Sequence, residues 1–393
     1  MHKDKRILVS PVIITKMKRS AFPLFFNFLF ILLFVTHLQA QRKVTPPSAV
    51  QASKTNTANA KRAFNQFMAN YIKDHHFNGT VLVQQNGENI YNQSFGFANF
   101  QFDVSNTNET KYKIASITKL FTSVLIMQLV EQGKIDLNQN IKAYLPNYKG
   151  EGAEKVRIFN LLTATSGIES NEKDVKGDDI PAMYAKPYST DELLNIFCSG
   201  KLETEPGKVW NYNNADYVIL GKIIEAIYSK TYKDVLKEKI LKPLKMTNTG
   251  MFGMAKVIKN LANVYEVNDS TKIIENTPPI YIENYYAAGG LYSTANDLLQ
   301  FSNALYGDKL LKDNSLKLIL QPYLAGYGFG IWVSDRLVHN QKIRIAERQG
   351  AIWGTKTRLL HILDKDMTII LLTNAQTTSI DDLQAKIIDE LLR

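Results

Sequence analysis

The sequence is short of the groups that most often carry hydrolytic, redox or metal chemistry. Cys198 is the only cysteine among 393 residues. No disulfide can close within the chain, so stability must come from a packed core. In Leu193-Leu-Asn-Ile-Phe-Cys198 a lone thiol reads as a small buried apolar group rather than a nucleophile. Only His75, His76, His339 and His361 follow residue 40, and none has the setting of a triad base. His361 lies in a strand-like run and reads as a packing residue. There is no Gly-x-Ser-x-Gly, which excludes the α/β-hydrolase nucleophile elbow. There is no His-Glu-x-x-His, no Cys/His cluster and no Walker loop, so neither zinc nor a nucleotide phosphate is expected. No run of five or six like charges occurs either. Residues 1–40 carry six of the Lys/Arg (Lys3, Lys5, Arg6, Lys16, Lys18, Arg19) and one acid, Asp4, so the formal +10 falls to about +5 without them. That is a mildly basic solvated surface, not a nucleic-acid stripe.

What is present begins with the N-terminus. Lys16, Lys18 and Arg19 precede a nearly unbroken apolar run, Ala21 to Val35, followed by Thr-His-Leu-Gln-Ala40. A basic stretch, a short apolar core and a small residue make a secretory signal, with cleavage expected after Ala40. The run is short for the roughly 20 residues that span a bilayer, and an uncleaved anchor is the alternative. Residues 41–57, polar with two prolines, read as a flexible linker. The hydrophobic share of 45% and the charged share of 21% are globular values, and residues 58–393 read as one domain.

Within that domain, Ala63, Phe64, Phe67, Met68 and Tyr71 recur at helical spacing. Thr80–Val83 and Ile90–Phe95 flank Asn86-Gly87 and predict a hairpin. Ile117–Gln132 is apolar enough for a buried helix, stopped by Gly133. The region of about 134–285 reads as mainly helical, with helices over 155–163, 191–198, 213–228 and 231–240. Residues 166–190 read as a long polar surface loop. A further helix is expected over Ala295–Tyr306. The last quarter turns to strands, at 327–333, 342–346, 357–363 and 367–373, and ends in an amphipathic helix, Ile380–Leu392. Strands at both ends and helices between them predict an α+β fold, an α/β sandwich. Its antiparallel sheet would be built from both chain ends and flanked by helices, with the helical region inserted.

With no histidine base available, a serine needs another activator. In Ser-x-x-Lys on a helix, positions i and i+3 share a face. The helix N-terminus favours developing negative charge, and a desolvated Lys beside another cation or a phenol can act as a base. The tetrapeptide occurs twice, as Ser116-Ile-Thr-Lys119 and Ser170-Asn-Glu-Lys173. Ser116 opens the apolar helix, which would carry Lys119 into a low-dielectric place, whereas Ser170 lies in the polar loop. The first pair is therefore the candidate. Tyr212-Asn213-Asn214 supplies a phenol that can move the serine proton and an amide that can hold a carbonyl.

The order Ser116-x-x-Lys119, Tyr212-x-Asn214, then a strand with Arg348-Gln349-Gly350 and Gly354, resembles class C β-lactamases and related DD-peptidases and esterases. Leu161-Leu-Thr-Ala-Thr-Ser-Gly167 and Ala288-Gly-Gly-Leu-Tyr-Ser-Thr-Ala-Asn-Asp-Leu298 look like the same family. The resemblance covers about residues 60–393. It implies that Ser116 is acylated and that Lys119 and Tyr212 deprotonate it and later activate water. Asn214 would contact the substrate amide, and the N–H groups of Ser116 and Ala351 would form an oxyanion hole. Arg348 would face a bound carboxylate, and Gly350, two residues on, would line the substrate-binding strand with it. The family usually has Lys or His where Arg348 stands, and Arg cannot relay a proton. Gln349 replaces a hydroxyl residue, and Ala164 stands where relatives often carry His. Efficient β-lactam turnover is thus not expected.

The expected function is an exported serine hydrolase, periplasmic or secreted, acting through an acyl-enzyme on an amide, peptide or ester, DD-carboxypeptidase-like or esterase-like. Hydrolysis and transpeptidation stay open. The partner would be a small molecule or peptide, a peptidoglycan stem peptide among the candidates. No cofactor, metal or nucleic acid is expected, and a membrane only if the N-terminal segment stays uncleaved. The alternative is a non-catalytic or impaired binding or sensing module on the same fold, with Arg348 and Gln349 marking the departure.

Overall fold

The computed structural model describes residues 47–169, 180–268 and 270–393, with side chains from Lys61 onward. The expected signal peptide, 1–40, and the second Ser-x-x-Lys, at Ser170, lie outside the described residues. Two compact units divide the chain, Met1–Lys54 and Thr55–Arg393. The described part of the first, residues 47–54, is helical, and the second holds everything that follows.

Six antiparallel strands form the central sheet: β1 (Gly79–Gln85), β2 (Glu88–Phe95), β3 (Trp332–Val338), β4 (Gln341–Ile352), β5 (Thr355–Ile362) and β6 (Met367–Thr373). Their order is β3-β4-β5-β6-β1-β2. The sheet closes where β1 pairs with β6, Val81 opposite Leu371 and Val83 opposite Ile369, so both ends of the domain share one sheet. Asn86 and Gly87 join β1 to β2 with φ of 49° and 75°, the two left-handed residues that a tight hairpin turn requires.

The alternation of the strands sorts two cores. Val81, Val83, Ile369, Leu371, Leu360 and Ile362 face outward. There they meet α1 (Pro47–His75) through Phe64, Met68 and Tyr71, and the closing helix α5 (Ile380–Leu391) through Ile380, Leu383, Ile387 and Ile388. Each of these side chains contributes about 1.5–3 kcal/mol when fully buried. Leu82, Leu359, Ile370 and Leu372 face the larger inner core. That core holds α2 (Thr118–Glu131), α3 (Asn214–Tyr228) and α4 (Ala295–Tyr306). α4 lies against β6 and β1, and Phe301 stacks on Phe121 of α2 at 3.8 Å. Eleven of the fourteen residues of α2 are buried. It is a central helix with no solvent face, as its all-round apolar sequence requires.

The departures from expectation are local. α1 begins at Pro47, inside the stretch expected to be a linker. Proline suits the first helical turn, where its missing N–H has no partner to lose. β3 begins at Trp332 and not at residue 327. Gly330 takes φ of 78°, and Tyr327 folds back to bridge Trp332. The end of the expected surface loop is partly internal, because Met183 and Tyr184 of the short helix Ala182–Ala185 are buried. The inserted region also holds short strands, Gly250–Met251, Tyr265–Val267 and Ile274–Asn276, beside its helices.

Candidate active site

Ser116 lies in a single 3-10 turn, Ala115–Ile117, that leads into α2. The helix therefore starts two residues after Ser116, and the serine hydroxyl caps nothing. Ala115 before it has φ of 47°, a left-handed conformation that costs a non-glycine residue about 1–3 kcal/mol. Packing holds it there. β4 presses against the turn at Gly350, where a Cβ would come within 2.3 Å of Thr357 Oγ1 and 2.4 Å of the Ile114 carbonyl. Only glycine lets the strand come so close.

Lys119, one turn into α2, is fully buried. Its Nζ donates to Ser116 Oγ at 3.2 Å, to Asn214 Oδ1 at 2.5 Å and to the Ala288 carbonyl at 2.9 Å. Asn214 reaches this point because Asn213, whose side chain accepts from Ala215 N–H, caps α3. Tyr212, just ahead of that cap, places its Oη 2.9 Å from Ser116 Oγ. Lys119 Nζ also sits 4.8 Å from the centre of the Tyr212 ring.

Arg348 closes the other side. β4 runs five residues past its pairing with β3, which ends at Glu347, and Arg348 is the first residue of that extension. Along it Arg348 and Gly350 are buried, while Gln349 and Ala351 are exposed. The Arg348 guanidinium donates from Nε to the Ser116 carbonyl at 2.6 Å, from Nη1 to Tyr327 Oη at 3.0 Å and from Nη2 to Tyr212 Oη at 2.6 Å. Its Cζ lies 5.0 Å from the Trp332 ring centre and 5.4 Å from that of Tyr212. Arg348 is 0% exposed. The expectation set Arg348 against a bound carboxylate; in this structure it braces the phenol and the serine backbone inside an aromatic cage.

Burial raises a phenol's pKa, but Tyr212 faces two cations. The charges of Arg348 and Lys119 outweigh its desolvation and bring it down to about 8. Burial drives its neighbour Tyr327 the other way, well above the ordinary value. Of the two phenols that Arg348 touches, Tyr212 is the one drawn below its ordinary value.

The structure thus brings Ser116, Lys119, Tyr212, Asn214 and Arg348 together. Gly350 and Ala351 follow on the strand edge. Sequence reasoning missed Tyr327 and Trp332, which it placed in one strand, and the carbonyl of Ala288. The aromatic spacing in Tyr327-Gly-Phe-Gly-Ile-Trp332 was the available signal, and its two glycines marked a turn. His361 stays away from this chemistry, stacked on Tyr306 at 3.9 Å.

The fold is thus a six-stranded antiparallel sheet between helices, with Ser-x-x-Lys and a tyrosine meeting beside β4. The Beta-lactamase family model matches residues 61–393, and the chain belongs to that family, which makes it a protein of the serine-hydrolase kind. PbpX of Bacillus subtilis (strain 168), named as a penicillin-binding protein, is 28% identical over 280 residues, 71% of this chain and 68% of that protein. The penicillin-binding protein from Bacillus halodurans superposes with a TM-score of 0.68 at 24% identity, over 81% of this chain and 98% of that one. The D-amino acid amidase from Ochrobactrum anthropi SV3, in complex with L-phenylalanine amide, gives 0.69 at 21% identity, over 86% and 98%. At those identities the two structures speak for the fold.

Proposed function

We propose that the protein is an exported serine hydrolase that works through an acyl-enzyme on an amide, peptide or ester. The observation that carries this reading is the meeting at Ser116. Its Oγ lies 2.9 Å from Tyr212 Oη and 3.2 Å from Lys119 Nζ, and the phenol is held near pKa 8 by two buried cations.

In this reading the Tyr212 phenolate takes the proton of Ser116 Oγ as the oxygen adds to the substrate carbonyl. The carbonyl oxygen's negative charge is received by the Ser116 and Ala351 N–H groups. Placing Ala351 on the extension of β4, free of β3, supports that role. The bond to the amine or alcohol then breaks, and the leaving group takes the proton from Tyr212. Water repeats the sequence: it gives its proton to Tyr212, releases the acid, and Ser116 recovers its proton. Lys119 keeps the phenolate favourable and moves the proton along the Ser116–Tyr212 pair. Asn214 fixes Lys119 through Oδ1, and its Nδ2, which donates to Tyr184 Oη at 3.4 Å, is the group a substrate carbonyl would meet in place of that phenol. The membership of the family and the apolar run after Arg19 support a substrate in the cell envelope, an amide or peptide with a D-residue among the candidates.

The test is intact-protein mass after exposure to a fluorophosphonate, a penicillin and an activated ester. A single stoichiometric adduct on Ser116, absent from Ser116→Ala, is expected with at least one probe. Folded protein that takes no adduct from any of them would refute the reading and favour the sensing module.

A further inference from the structure

The lysines look dispersed along the sequence, but the fold collects five of them at one cavity. The segment 230–245 carries six lysines. The helix Tyr232–Leu236 runs into a π-turn, Lys237–Leu241, where Lys242 N–H donates to the Lys237 carbonyl at 2.9 Å. A π-turn brings residues five apart to one side, so Lys237 and Lys242 share an edge. Between this segment and the paired strands Gly250–Met251 and Leu291–Ser293 lies a cavity of about 500 Å³. That is within the roughly 300–1,000 Å³ range of small-molecule sites.

Its wall and its mouth differ in character. Leu236, Leu241, Met246, Met251 and the Tyr292 ring line the inside, and Lys233, Lys237, Lys242, Lys245 and Lys256 surround them, with no acidic residue in the lining. Among the described residues none of these five lysines makes a side-chain hydrogen bond or an ion pair. The acids of the same segment are engaged elsewhere. Glu238 holds Lys230 and Lys239, and Asp234 accepts from Thr231. Five like charges around one opening repel each other and gain from a counter-charge. An apolar wall offers nothing to a polar body.

We propose that this cavity binds a single-chain anionic amphiphile, its apolar chain inside and its phosphate or carboxylate among the lysines. A neutral amphiphile would leave the rim uncompensated, and a bare anion would leave the apolar wall wet. None of Ser116, Lys119, Tyr212, Asn214 or Arg348 lines the cavity, so the site is separate from the one proposed for catalysis.

Isothermal titration of the purified protein with dodecyl phosphate below its micellar concentration tests this. One saturable site is expected. Dodecyl maltoside and inorganic phosphate should each bind at least tenfold more weakly. Lys237→Glu/Lys242→Glu/Lys245→Glu should weaken dodecyl phosphate at least tenfold, and so should Thr247→Trp, which fills the exposed mouth. Both variants should keep the parent's unfolding temperature without ligand, and the corresponding triple Lys→Gln variant repeats the test without added acids. No saturable binding, equal affinity for the maltoside, or unchanged affinity in the charge variants would overturn the proposal. So would binding to phosphatidylglycerol vesicles that persists in Thr247→Trp while the monomeric phosphate fails to bind, since the lysines would then serve a bilayer surface.

Discussion

Ser116 and Tyr212 sit between two buried cations that are held from different elements. On the helix side the ammonium of Lys119 donates to oxygens: a hydroxyl, a side-chain amide and a backbone carbonyl. On the strand side the guanidinium of Arg348 is enclosed by Tyr212, Tyr327 and Trp332 and reaches two phenols and one carbonyl. Of the first cation's three oxygen partners, Ser116 Oγ is the one able to exchange a proton with it, since the amide and carbonyl oxygens only accept. The second stays charged at any working pH, and burial raises the weight of that charge on Tyr212. In the proposed mechanism one side moves a proton while the other sets the field in which it moves. The usual Lys or His at the Arg348 position would offer both properties at once. This chain separates them.

The largest effect should come from breaking the mobile side. Lys119→Ala removes the amine nearest Ser116 and one of the two charges that keep Tyr212 acidic. Acylation by an activated ester, followed by stopped-flow or intact mass, should slow about 10³-fold with the sheet intact by circular dichroism. A rate within threefold of the parent would mean that Tyr212 and Arg348 suffice and that Lys119 is a packing residue.

Breaking the fixed side should cost less and should show in the pH profile. The parent's acylation rate should rise with pH through about 8, as Tyr212 loses its proton. In Arg348→Ala that limb should move up toward the ordinary phenol value, since a lowering charge is lost, and the rate at pH 7 should fall about 10²-fold. Arg348→Lys should move the limb less. Because Arg348 is enclosed, neutral esters and substrates with a free carboxylate should lose equally. A loss confined to carboxylate substrates would restore Arg348 to direct substrate contact and require the cage to open.

The same two sides differ in how far the sequence reveals them. Ser116 lies three residues before Lys119, in the turn that leads into a helix without a solvent face, so local spacing and that burial are enough to pair them. The ends of the sheet were equally plain, because period-two runs and Asn86-Gly87 carry their own geometry. Arg348 could be placed on a strand but not given its role. Its partners lie at 116, 212 and 327, and only the tertiary fold decides whether a guanidinium meets substrate or aromatic rings. Tyr327 was hidden for a related reason. Its run has strand composition, and the turn at Gly330 depends on close packing, since a Cβ there would come within 2.7 Å of Ser123 Oγ and 2.9 Å of Tyr217 Oη. The five lysines of the cavity were invisible as a group because a π-turn, which leaves no mark in composition, aligns two of them.

The finest division of the comparison falls on Tyr327. Its hydroxyl accepts from Arg348 Nη1 at 3.0 Å and touches neither Ser116 nor Lys119. Tyr327→Phe keeps the ring, and so the aromatic enclosure, but leaves one buried guanidinium N–H without its acceptor. That costs about 1–3 kcal/mol of stability, read as a lower unfolding temperature. Catalysis should change little, because Nε and Nη2 still hold Arg348 on the Ser116 carbonyl and Tyr212. A roughly threefold fall in the acylation rate is expected, with the limb near pH 8 moved by only a few tenths of a pH unit. A shift as large as that of Arg348→Ala would show that Tyr327 aims the guanidinium, and that the field on Tyr212 depends on the cage's hydroxyl as much as on the charge itself.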